Sequence, residues 1–169
     1  RAHAHPSFQK SSMAVAPSAG RLVAGKYRLL ERVGVGGMSE VYRAEALDSG
    51  RVVAVKVLLP QRADDPSFEA RLIQEAQSGF RIRHTSVVVV LDVGQSDVGP
   101  FIAMEFLSGD SAARVLVQRG KLAMQAALAK LFPVLDGLQE AHEAGVVHRD
   151  LKPGNVFYCV EGRHCTSVK

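Results

Sequence analysis

Three clusters in the 169-residue chain hold residue types that could do chemistry, and the densest is His148-Arg149-Asp150-Leu151-Lys152-Pro153-Gly154-Asn155. Charged and polar side chains gathered on a loop, after a long helical stretch and before an extended one, form the pattern of a site carried on a scaffold. The second cluster is glycine-rich: Gly34-Val35-Gly36-Gly37-Met38-Ser39-Glu40-Val41. A dinucleotide-binding turn would need a helix directly after the glycines, to offer its N-terminus to a pyrophosphate. A strand follows instead. A glycine loop that joins two antiparallel strands can lie over a triphosphate as a lid, with its backbone amides open to approach. The third feature is Lys56 at the end of Val53-Ala54-Val55-Lys56, 22 residues after Gly34. An ammonium inside an apolar strand needs a partner or a path to water. It either snorkels from a strand edge or clamps phosphate oxygens, held by a carboxylate of the following helix. Helical spacing alone does not choose between Glu69 and Glu75. Glu69 falls in the first turn, where the helix dipole already accounts for an acid. Glu75 sits mid-helix between Leu72 and Ala76, and we take Glu75 as the partner.

The elements that position these residues follow from local pattern. Residues 27–33 and 40–47 read as strands on either side of the glycines, and 51–59 is dense in β-branched residues that suit a pleated surface. Three antiparallel strands in series are expected. Asp65-Pro66 signals a helix start, and Phe68, Leu72, Ile73, Ala76 and Phe80 recur at helical spacing. Residues 87–91 and 101–106 read as two further strands around a turn at 95–99. Beyond Gly109 the pattern turns helical. Met124, Leu128, Leu131, Leu135 and Leu138 form a stripe that predicts a helix packed on a core. Pro133, inside that stripe, predicts a kink. Residues 156–160 and 165–168 flank Glu161-Gly162-Arg163 as a hairpin, across which Cys159 and Cys165 could face one another.

Composition sets outer limits. With 47% hydrophobic and 22% charged residues and a net charge of +4, the chain is neither disordered nor built to cross a membrane. Its basic residues are scattered, so no nucleic-acid-binding face is expected. Two cysteines make no disulfide framework, and a reduced, cytoplasmic setting is expected. The intervals between His142, His148 and His164 do not place two ligands on one helix face, which argues against zinc. Gly20-Arg21-Leu22-Val23-Ala24-Gly25-Lys26-Tyr27 has P-loop spacing, but Tyr27 stands where a metal-binding hydroxyl is required. Residues 1–20 read as a flexible leader without a signal-peptide core. Since the chain begins at Arg1, Met13 is a candidate start, or the chain is a fragment.

Taken together, the glycine loop, Lys56 and the 148–155 string resemble the catalytic domain of protein kinases, over roughly 27 to the C-terminus and in the family's order. Met38-Ser39 after the glycines is similar to the eukaryotic-like serine/threonine kinases of bacteria. The resemblance implies an α+β, two-lobe fold: a leader 1–20, an antiparallel N-lobe with one helix and hinge over 21–107, and a partial helical C-lobe over 108–169. It implies ATP and Mg²⁺ as cofactors and a protein with a Ser or Thr hydroxyl as substrate. By position, Gly34 and Gly36 would cover the phosphates, and Lys56, held by Glu75, would grip the α and β phosphates. Val33, Val41, Ala54 and Phe157 would enclose the adenine. Met104 would be the gatekeeper, and Glu105 and Leu107 would offer hinge backbone groups. Asp150 would take or orient the proton of the acceptor hydroxyl, Lys152 would steady the γ-phosphate, and Asn155 would ligate Mg²⁺. Arg149 looks like the arginine that contacts a phosphorylated activation loop, and His148 like a structural residue.

Two departures stand out. Ser39 replaces the third glycine of the loop, and the 169 residues contain no Asp-Phe-Gly, whose aspartate is the family's main Mg²⁺ ligand. The chain alone is therefore expected to be inactive and poorly soluble, with the Met124–Leu138 stripe lacking cover. The competing class is a pseudokinase or truncated lobe that binds nucleotide without transferring phosphate.

Overall fold

The computed structural model describes residues 19–36, 39–58, 80 and 82–159, and the backbone of 164–166. Six strands form one antiparallel sheet: β1 (Leu22–Val23), β2 (Tyr27–Val35), β3 (Ser39–Ala46), β4 (Val52–Leu58), β5 (Val90–Ser96) and β6 (Gly99–Glu105). Their order is β1-β2-β3-β4-β6-β5. Alternation decides which side chains enter the core. Along β3, Glu40, Tyr42, Ala44 and Ala46 are buried and their neighbours half-buried. On β4, Val53, Val55 and Val57 face the same core as Leu29 and Phe101. Leu29, Val55 and Val57 are fully buried, and burying a side chain of this size contributes about 1.5–3 kcal/mol.

The sheet is curled, because strands at opposite ends of its order touch. Arg21, just before β1, pairs with Asp97 in the β5–β6 turn at 2.8 Å. Asp92 of β5 accepts from Lys26 Nζ at 2.9 Å and from the Tyr27 hydroxyl at 3.1 Å. Between them the Tyr27 ring meets Phe101 edge-on, with centroids 5.7 Å apart. Burial raises the Tyr27 hydroxyl above its ordinary range, helped by the Asp92 carboxylate. Burial also acts to raise Asp92, but the donors Lys26 and Tyr27 outweigh it and hold that carboxyl below the usual range.

After the sheet come β7 (Gly109–Ser111), α1 (Ala112–Arg119), α2 (Met124–Glu143), a 3-10 turn (Pro153–Asn155), β8 (Val156–Cys159) and β9 (His164–Thr166). The last three strands form a second antiparallel sheet in the order β7-β8-β9. Helix α1 starts cleanly because the Ser111 hydroxyl caps it, accepting from the Arg114 amide at 3.2 Å. It ends at Gly120, whose amide donates to the Leu116 carbonyl at 2.8 Å. Helix α2 runs from Met124 to Glu143 with Pro133 inside it. Among the described residues, no helix is long and apolar enough to cross a membrane.

Four sequence expectations need revision or fall outside the described residues. Only the second half of the valine run joins the sheet: β5 starts at Val90, while Val87 packs with Ile82 and Ala141 of α2. The β-branched run thus serves two structures, and composition could not divide it. The stripe on α2 does not pack on a core, but it does lack cover as expected for the chain alone, with Leu138 half-buried. Val134, Gly137 and Ala141 face the core, whereas Met124, Leu128, Leu131 and Leu135 are 74%, 41%, 47% and 46% exposed. The small residues let the helix approach Ser86 and Val87 closely, and the large ones stay uncovered. In the final hairpin Cys165 lies opposite Phe157, not Cys159, so the two cysteines do not face each other. The helix expected after β4, with Glu69 and Glu75, lies outside the described residues.

Candidate active site

The glycine hairpin forms at the β2–β3 connection. The ladder slips between Arg32, opposite Tyr42, and Gly34, opposite Val41, so Val33 sits in an irregularity and is 49% exposed. Beyond it the Gly36 amide donates to the Ser39 carbonyl at 2.8 Å. A Cβ placed on Gly34 or Gly36 would come no closer than 3.5 Å to its neighbours. Nothing in the described chain therefore excludes a side chain at either position. What a side chain would do there is screen the backbone amides from anything approaching the loop.

Strand register assembles the next group. Val41, Lys56 and Ile102 are directly opposed across β3, β4 and β6, and so are Arg43, Ala54 and Met104. Opposed residues project to one face. Val41, Ala54, Lys56 and Met104 thus share the face away from the Val53, Val55 and Val57 core. Lys56 is half-buried on a central strand rather than at a sheet edge. Its expected partner Glu75 lies outside the described residues.

The chain leaves β6 through an extended segment. The Glu105 amide donates to the Val89 carbonyl at 3.0 Å, and the Glu105 carboxylate accepts from the Val89 amide at 3.0 Å. A ligand hydrogen-bonding to the Glu105 backbone would therefore use its carbonyl. Leu107 follows, half-buried. A cavity where β5 meets this segment is lined by Ile82, His84, Val89, Val90 and Glu105, and among the described residues it holds no other predicted site residue. At Gly109 the backbone turns into β7 with φ +150°, and a Cβ there would fall 2.0 Å from the Tyr158 carbonyl oxygen. Only glycine lets β7 pair with β8 at this point.

The polar loop is held by its own members. His148 is buried, and its carbonyl accepts from the Asp150 amide at 2.7 Å. Arg149 takes a left-handed conformation, φ +58°, which is uncommon outside glycine and turns the chain sharply before Asp150. Lys152 Nζ lies 2.8 Å from Asp150 Oδ2 and 3.0 Å from Oδ1. Asn155 Nδ2 donates to the Asp150 carbonyl at 2.7 Å and to Oδ2 at 3.0 Å. The carboxylate is thus fixed from two sides while remaining partly open to solvent. Phe157 lies just beyond, half-buried on β8 and opposite Ser111.

Two groups of predicted residues are therefore assembled: Val41, Ala54, Lys56 and Met104 on the sheet, and Asp150, Lys152 and Asn155 on the loop. Sequence reasoning missed Glu40, which is buried and accepts from Arg32 Nη1 at 2.7 Å and from the Tyr42 hydroxyl. Its signal was parity: Glu40 shares its strand face with the apolar positions Ala44 and Ala46.

A curled antiparallel sheet with a glycine hairpin, followed by helices and a polar loop, is the architecture of the protein-kinase fold. Residues 27–168 match the protein kinase domain family, and the chain belongs to that family. It is 40% identical over 140 residues to the probable serine/threonine-protein kinase PknB of Corynebacterium glutamicum, covering 80% of this chain and 22% of that protein. It is 36% identical over 146 residues to the serine/threonine-protein kinase PknL of Mycobacterium tuberculosis, covering 86% and 37%. The crystal structure of the Mycobacterium tuberculosis PknI kinase domain superposes with a TM-score of 0.81 at 30% identity, over 90% of this chain and 61% of that one. The chain thus spans between about a fifth and just over a third of these two curated relatives.

Proposed function

We propose that the chain carries the ATP-binding and catalytic-loop parts of a protein serine/threonine kinase, with an N-lobe and hinge over 21–107 and the start of a C-lobe over 108–169. The observation that supports this most is the Asp150, Lys152 and Asn155 cluster, in a chain that also puts Lys56 on one sheet face with Val41, Ala54 and Met104. Phosphoryl transfer needs alignment and charge neutralisation more than covalent chemistry from the protein, and these groups are of the required kinds. Val33, Val41, Ala54, Met104 and Phe157 give apolar surface for an adenine. The Glu105 carbonyl and the Leu107 backbone give it hydrogen-bonding edges. The Gly34 and Gly36 amides and the Lys56 ammonium are donors for phosphate oxygens, and Glu75 is the carboxylate assigned to Lys56. Asp150 receives the proton of a Ser or Thr hydroxyl on a protein substrate, and Lys152 stands ready for the γ-phosphate.

Magnesium suits what Asn155 offers. With Nδ2 committed to Asp150, its carboxamide oxygen is a hard donor, and Mg²⁺ is commonly held by few protein oxygens together with phosphate and water. Bound there, the ion would offset phosphate charge. Among the described residues, no three His, Cys, Asp or Glu side chains are gathered as a metal site. A second reading is a nucleotide-binding module without transferase activity.

Two measurements on the chain separate these readings. ATP binding that is lost in Lys56→Met supports both, and no ATP binding overturns both. Phosphate incorporation into Ser and Thr of a basic protein, abolished by Asp150→Asn with ATP affinity retained, supports the kinase. Binding without incorporation leaves the nucleotide-binding module.

A further inference from the structure

The carboxylate of Glu40 lies one residue past the glycine hairpin, and its side chain is only 5% exposed. An isolated buried carboxylate is strongly unfavourable, so its donors explain why it is tolerated. Those donors come from two strands. Arg32 of β2 reaches Oε1 at 2.7 Å, and the Tyr42 hydroxyl of β3 reaches Oε2. Arg32 and Tyr42 are themselves directly opposed, and they form the last ladder step before the irregularity at Val33. Glu40 is opposed to Val35, one ladder step beyond the Gly34–Val41 pair that ends the irregularity. The three side chains share one strand face, so the carboxylate spans the break in the ladder and ties the hairpin to the regular sheet below it. Val41, the neighbour of Glu40, projects to the opposite face with Lys56. The tie thus lies on the sheet face opposite the one that carries Lys56. Burial, with the Glu40 carboxylate second, pushes the Tyr42 hydroxyl up to about 12, so Tyr42 remains a donor across the physiological range.

We propose that Glu40, with Arg32 and Tyr42, is a positioning group that fixes the glycine hairpin at the height needed for its amides to meet the phosphates of a nucleotide. This rests on the nucleotide-binding reading above and adds to it a residue that touches no ligand. A tie on the face away from Lys56 has a signature that general packing lacks: it discriminates between ligands with and without phosphates. Cutting it frees the hairpin and costs affinity for ATP, whereas adenosine, held by apolar surface and the 105–107 backbone, is spared.

The experiment is calorimetric titration of the 169-residue chain and its variants with ATP and with adenosine. Glu40→Ala and Arg32→Ala are each expected to weaken ATP about tenfold while changing adenosine by less than about twofold, and to couple rather than add in the double variant. Arg32→Lys, which keeps the charge, is expected to restore most of the ATP affinity. If Glu40→Ala fails to fold, Arg32→Ala still carries the test, because the Arg32 side chain is 50% exposed. Equal weakening of ATP and adenosine, or no weakening of ATP, overturns the inference and leaves the nucleotide-binding reading standing. A wild-type chain that binds neither ligand overturns that reading, and this inference with it.

Discussion

Replacing Asp92 tests whether the curl of the sheet, which sets the face carrying Lys56, is held where the structure places its closure. Asp92 accepts from Lys26, from Tyr27 and, through Oδ1, from the Val93 amide at 2.9 Å. Lys26 stands in water, so losing its pairing costs little. The Tyr27 hydroxyl is different, because Tyr27 is only 8% exposed. Leaving such a donor unsatisfied costs about 1–3 kcal/mol. Asp92→Ala should therefore destabilise by about 2 kcal/mol, which for a chain of this length lowers Tm by about 4–8 °C. Asp92→Asn keeps an acceptor for Tyr27 and should cost about half as much. In a Tyr27→Phe background the loss on Asp92→Ala should shrink by about 1 kcal/mol, since the stranded hydroxyl is gone. Acid adds an independent check. The Asp92 carboxyl is held below its ordinary range in the folded chain, so the unfolded chain takes up the proton first as pH falls. The contribution is complete above the ordinary aspartate value of about 3.9 and fades as pH drops through the lower folded value. Thermal unfolding followed by circular dichroism should show a wild-type advantage over Asp92→Ala that is flat from about pH 5 to 7 and narrows below about pH 4. An unchanged Tm in Asp92→Ala, or an advantage that grows on acidification, would refute the reasoning.

Two further outcomes follow from packing. A Cβ at Gly137 of α2 would come within 3.2 Å of Ser86 Cβ and Val87 Cγ2, so Gly137→Val should destabilise by about 1–3 kcal/mol despite the better backbone propensity; denaturant unfolding with no loss would remove this contact from the fold. The exposed leucines of α2 should drive self-association, seen in sedimentation velocity as mass rising with concentration and reduced by Leu131→Gln with Leu135→Gln; a chain that stays monomeric throughout would contradict the exposure of that face.

How much could be read from sequence depended on how local the signal was. Lys56, the glycine hairpin and the 148–155 loop were legible because each is a contiguous string with fixed spacing. β2, β3 and β4 were legible because alternation and β-branching are properties of the strand itself. The valine run was read as one strand, whereas its first half is claimed by α2, a partner more than 40 residues away in sequence. The α2 stripe was legible as apolar and uncovered, but the face that packs on the core was not, because leucines mark apolarity while Gly137 and Ala141 mark close approach. β7 escaped notice because three residues with a glycine carry no period; only its pairing with β8 makes it a strand. Asp92 and Glu40 were passed over as ordinary solvated charges. Their importance comes from Tyr27 and Arg32, which the curl and the register bring to them.

The most direct test of the central claim is a titration of the ¹⁵N-labelled chain with ATP and Mg²⁺, reading the backbone amides of Gly34 and Gly36 alongside those of Asp150 and Asn155. A nucleotide held between hairpin and loop predicts that both pairs of signals move together along one binding curve with a single Kd, and that Lys56→Met abolishes both responses. Movement at the hairpin with a silent loop, or different Kd values for the two, would contradict a shared site.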